Sequence, residues 1–152
     1  MALAITLHLL SVVIWVGGMF FAYMALRPVA SNLLEPPVRL SLWVAVFKRF
    51  FVWVWIAIVT LLVSGLWMIF AELGGMANIG YHIHIMLALG IFMMLLFMHV
   101  FFGPYRRLQY AVIESNWETA GEKLNQIRVL IKTNLILGLL IITIATGGRY
   151  LS

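Results

Sequence analysis

The sequence contains no cysteine, which excludes disulfides, thiolate metal sites, iron–sulfur clusters and cysteine nucleophiles. Charge is also scarce: only 10% of the 152 residues are Asp, Glu, Lys or Arg, and just five are acidic. No carboxylate pair, hydrolase triad or phosphate-binding glycine loop can be assembled from what remains, and no catalytic residue can be named. The formal net charge of +5 does not point to nucleic acid. The cations sit in short segments between apolar runs rather than along one soluble face.

What the chain does have is apolar sequence, at 64% of residues. This composition lies outside that of ordinary soluble domains and makes the lipid bilayer the main solvent. Four runs are long enough to cross it, at about 20 residues per crossing. The first extends from Met1 to Leu26, uncharged until Arg27; it starts without basic residues and stays apolar too long for a signal peptide. The second covers residues 50–70. The third covers 81–102 and stops at Gly103-Pro104, where proline cannot continue the hydrogen bonding. The fourth covers 129–147, ending at paired glycines. After Glu35-Pro36-Pro37, residues 38–50 repeat apolar positions at helical spacing and predict an interfacial helix running into the second span. Residues 105–132 read as helical with a break at Ser115-Asn116. The expected fold is therefore all-α: a single transmembrane domain over residues 1–152, a four-helix bundle of two helical hairpins. Trp53, Trp55 and Trp67, near the ends of span two, read as aromatic-belt residues.

Orientation follows from the cations. Arg27, Arg39, Lys48, Arg49, Arg106, Arg107, Lys123, Arg128 and Lys132 fall on one side, and only Arg149 on the other. The positive-inside rule makes the first side cytoplasmic, so both termini face outward, periplasmic in a bacterial inner membrane. The basic loops also suit anionic lipid.

The ionisable residues inside the spans are all histidines: His8 in the first, His82, His84 and His99 in the third. His8 and His84 lie a turn or two inside the outer boundary on different helices. If spans one and three are neighbours, they meet the requirement for axial ligands on opposite faces of a haem b. His82 and His84 are about 200° apart on a helix, so only one of them can serve, with His82 as the alternative ligand. The plainer reading makes each histidine a polar residue hydrogen-bonded near an interface. His99 lies about 22 Å below His84 without a partner at its depth and reads as structural. Trp15 shares the face of His8, Gly18 is small enough to admit a macrocycle or a closely packed helix, and Arg149 is a candidate partner for a propionate.

These residues carry a family resemblance. His8-Leu-Leu-Ser-Val-Val-Ile-Trp15-Val-Gly17-Gly18, Tyr81-His-Ile-His84 with a long apolar helix reaching His99, and Asn134 with Leu137-Gly138 before Gly148-Arg149 resemble the CopD-like and HemJ-like four-helix membrane proteins. The resemblance implies a helical bundle whose first-helix histidine serves a haem or metal site. For the HemJ type it implies haem b and protoporphyrinogen oxidation; for the CopD type, copper resistance or uptake. The chain departs from the HemJ pattern at Met86, where a lysine is expected, and a thioether supplies neither charge nor proton.

Two functions follow as expectations. One is a haem b redox protein ligated by His8 and His84, a possible oxidoreductase exchanging electrons with a quinone, a porphyrin or a redox partner protein. The alternative is a copper-binding or copper-transport protein, with His8, His82 and His84 as imidazole donors and Met76 or Met86 as thioether. A scaffold subunit without cofactor is a third, and homo-oligomers are compatible with all three.

Overall fold

A computed structural model describes residues 1–150 of the chain. Its described residues form helices and turns, with no strand. Helix α1 (Ala2–Phe21) passes through a π turn at Ala22–Leu26 into α2 (Arg27–Leu33). Pro28 explains the widened turn: its ring nitrogen cannot donate to the preceding turn, and the Arg27 N–H reaches back to the carbonyl of Ala22 instead. Helix α3 (Pro36–Trp67) is continuous over 32 residues, so the predicted interfacial helix and the second span are one rod. A second π turn (Met68–Glu72) leads into a loop where Gly74 and Gly75 take φ values of 76° and 98°, open to glycine at no steric cost.

Helix α4 (Tyr81–Phe102) ends at Gly103, and α5 (Pro104–Ile113) starts with the proline in its first turn, where a missing N–H costs nothing. Ser115, at φ 55°, turns the chain, and the Asn116 side chain accepts from the Thr119 N–H to cap α6 (Trp117–Gly147). A short 3₁₀ turn closes at Gly148–Tyr150. Four of these rods, Ala2–Leu33, Pro36–Glu72, Tyr81–Ile113 and Trp117–Gly147, are long and apolar enough to cross a membrane. The protein is a multi-pass helical membrane bundle in contact with lipid.

Helix α1 packs along α3 and α4 along α6, two antiparallel hairpins laid against each other. Between apolar helices in lipid, close packing rather than hydrophobic transfer holds the contact. At the end bearing the basic segments the packing is aromatic: Phe47 stacks on Phe51 at 5.0 Å, and Phe51 meets Tyr105 at 4.9 Å and Phe97 at 5.2 Å, both edge-on. Trp55 belongs to this cluster, edge-on to Phe97 and Phe101, whereas Trp53 and Trp67 are exposed. So Trp55 packs within the bundle. Midway, Gly138 lets α6 approach α4, its hairpin partner, and α1 of the other hairpin: a Cβ built there would lie 2.8 Å from Val16 and 3.3 Å from Met93. Beyond this crossing the bundle is looser. No residue of α4 before Met93, and no described residue of α6 after Gly138, is buried.

Candidate metal site at the histidine-bearing end

His8 shares one face of α1 with the buried Trp15 and Met19, at spacings of seven and eleven residues, so it points toward the bundle. It is half-buried and seats against α3, where the missing side chain of Gly65 makes room; a Cβ there would lie 3.3 Å from the imidazole Cε1. Its Nδ1 lies 2.9 Å from the Ser64 hydroxyl oxygen. That hydroxyl donates to the Thr60 carbonyl at 2.5 Å. A serine has one hydroxyl hydrogen, so toward His8 it can only accept. The network therefore assigns the proton to Nδ1 and leaves a lone pair on Nε2, which has no hydrogen-bond partner among the described residues. A histidine whose other nitrogen is held in this way is oriented for metal ligation.

Across the bundle, α4 presents two histidines on different faces. Its buried residues are Met93, Met94, Phe97 and Val100, of which Met93, Phe97 and Val100 share one face. His82 lies within about 60° of all three, and His84 about 140–180° from them. In agreement, His82 is half-buried, with its Cβ 3.1 Å from a Cβ built at Gly148, while His84 is exposed. Met86, one turn after His82, is half-buried on the same inner side.

Depth can be read from the Gly138 crossing, which touches both Val16 and Met93. His8 is eight residues from Val16, about 12 Å along its helix; Met86 and His82 are seven and eleven residues from Met93, about 10 and 16 Å. The two α4 donors thus bracket His8 in depth. Two imidazoles and a thioether suit copper, above all the soft monovalent ion. No group of three His, Cys, Asp or Glu converges among the described residues.

The remaining predicted site residues fall out as follows. Trp15 is buried beneath His8, edge-on to Phe97 at 6.3 Å. Gly18 faces Phe50, whose ring any added Cβ would strike, so its smallness serves helix packing. His99 is exposed in the last turn of α4. The side chain of Arg149 lies outside the described residues. In the sequence Ser64 is marked only as one of two hydroxyl residues, with Thr60, in an apolar run, standing beside Gly65. Two further polar residues are buried: Ser11, which donates to the Leu7 carbonyl at 2.9 Å, and Asn134, which donates to the Met93 carbonyl at 3.2 Å while its Oδ1 has no partner.

Residues 44–147, more than half of the chain, match the family model described as Copper resistance protein D, CopD. The match begins within α3, so it covers His82, Met86 and Ser64, and α1 with His8 precedes it. No match is found among curated proteins or among solved structures. On the helical bundle and the family match together, the chain belongs to the copper resistance protein D family of membrane proteins.

Proposed function

We propose that this protein binds and passes copper within the membrane, taking the ion at its histidine-bearing end through His8 Nε2, His82 and Met86. The observation that carries the reading is the Thr60–Ser64–His8 chain of hydrogen bonds, which fixes the imidazole proton on Nδ1 and frees Nε2. The choice of His82 over His84 rests on the inner face of α4. The copper-resistance family supplies the metal. A two-imidazole, one-thioether set binds a soft ion without a permanent negative charge, so the ion can leave as well as enter. Under the charge bias of the loops, this end faces the periplasm.

A second reading is favoured by the loose packing of the same end. Haem b between the hairpins, with His8 as one axial ligand and a histidine of α4 as the other, would sit where α4 and α6 bury no described residue. It places the protein in electron transfer, with a quinone, a porphyrin or a redox protein as partner.

One purified preparation separates the readings. Copper content and Cu(I) affinity against a chromophoric chelator are measured for wild type, H8A, H82A, M86L, H84A and H99A, together with oxidised and dithionite-reduced absorption spectra. Copper transport predicts a colourless protein that loses Cu(I) in H8A and H82A, weakens in M86L, and is unchanged in H84A and H99A. A Soret band with sharp reduced α and β bands, lost in H8A, establishes the haem reading. Undiminished copper binding and no haem loss in H8A refute both.

A further inference from the structure

A cavity lies at the other end of the bundle, between α2, the start of α3 and the start of α6. It measures about 820 Å³, in the range of small-molecule and lipid-headgroup sites. Arg27, Arg39 and Arg128, from three different helices, line it, over an apolar floor that includes Leu40, Trp43 and Phe47. None of the three arginines makes an ion pair among the described residues. Glu118 is the one acidic residue in the lining, so three guanidiniums face a single carboxylate. The Arg27 guanidinium lies 4.8 Å above the Tyr23 ring, which holds it at the rim.

The three arginines share a depth. Counted from the Gly18–Phe50 and Gly138–Val16 contacts, they lie nine, eleven and ten residues away along their helices, about 13–17 Å. From His8 to Arg27 is 19 residues, about 28 Å, close to the thickness of a bilayer's hydrocarbon core. When His8 lies just inside one boundary, the cavity opens at the headgroup level of the other. Guanidinium forks match phosphate oxygens, and basic pockets between transmembrane helices at this level take anionic headgroups.

We propose that this cavity is a binding site for the phosphate-bearing headgroup of an anionic lipid, with two phosphates preferred over one because the lining carries a net charge of two positive units. Arg27, Arg39 and Arg128 hold the phosphates, and the Leu40, Trp43 and Phe47 floor takes the adjoining glycerol and acyl segments. The site is independent of the metal reading at the opposite end.

The test is native mass spectrometry of the detergent-purified, delipidated full chain, titrated with cardiolipin, phosphatidylglycerol and phosphatidylcholine. One cardiolipin binds tightly, phosphatidylglycerol more weakly and phosphatidylcholine not measurably. R27Q, R39Q and R128Q each weaken cardiolipin about tenfold, the loss expected for one charge-assisted contact. R106Q, on α5 outside the cavity, does not, and E118Q tightens binding by removing the opposing carboxylate. E118Q retains every guanidinium, so it reports even where an arginine variant fails to fold. Pyrophosphate distinguishes a soluble source of the same chemistry. If it binds with the same arginine dependence while cardiolipin does not, the lipid assignment falls. Equal cardiolipin binding in all variants, or no preference over phosphatidylcholine, overturns the site itself.

Discussion

Removing one hydroxyl tests the orientation of the His8 imidazole without touching the proposed ligands. In S64A the His8 Nδ1–H loses the acceptor that now lies 2.9 Å away, and the ring is free to exchange tautomers and rotate. The fold should lose little, because the Ser64 hydroxyl bonds only within its own turn besides His8, and Thr60 keeps its helical hydrogen bond. A cost under about 1 kcal/mol is expected from one modest hydrogen bond. Metal affinity should suffer more. Loss of the group that orients a ligating histidine typically weakens binding about 10–100-fold, roughly 1.4–2.7 kcal/mol. Cu(I) competition against a chromophoric chelator reads this directly, with S64T, which restores a hydroxyl, as the rescue. Full affinity in S64A would show that the Ser64 contact does not prepare the site. A loss as complete as in H8A, accompanied by a lower melting temperature, would show that Ser64 holds the helices together and not the ligand.

Other outcomes follow from the packing. G138V places branches against Val16 and Met93 where even a Cβ is crowded, and should destabilise the bundle by about 1–3 kcal/mol, read by thermal or denaturant unfolding in detergent. N134L removes an amide whose Oδ1 is buried without a partner and gives up one hydrogen bond to a carbonyl in the body of α4. The penalty of an unsatisfied acceptor, about 1–3 kcal/mol, exceeds the roughly 0.5–1.5 kcal/mol of that bond, so the variant should be as stable as wild type or more so. A marked fall in its melting temperature would mean that Oδ1 has a partner in the membrane. F51A opens the aromatic cluster between Phe47, Phe97 and Tyr105 and should cost about 3–5 kcal/mol, with loss of monodisperse protein on gel filtration as a second readout.

Much of the architecture was written locally in the chain. The four crossings, the stop at Gly103-Pro104, the turn at Ser115-Asn116 and the end of α6 at Gly147 are set by apolar run length and by residues that break or cap a helix. These depend on neighbours within a few positions. Only the cation bias of the loops spoke to orientation, through the energetics of insertion.

The rotation of each span about its own axis is a tertiary quantity. Helical geometry put His82 and His84 on different faces, but a span apolar on every side carries no stripe to say which face turns inward. That came from Met93, Phe97 and Val100, buried against the other helices. The same holds for Trp55, drawn into the aromatic cluster by Phe97 and Phe101, and for Gly18, whose open side is filled by Phe50. Ser64 is 56 residues from His8, and Arg27, Arg39 and Arg128 come from three helices; no spacing rule links such groups. Composition and local chemistry determined that the chain has four helices able to cross a membrane and where several of them stop, though not that the first rod runs on to Leu33. The packing of the hairpins decided which side chains share a site, because contacts between distant segments are selected by the shape of the whole bundle rather than by sequence separation.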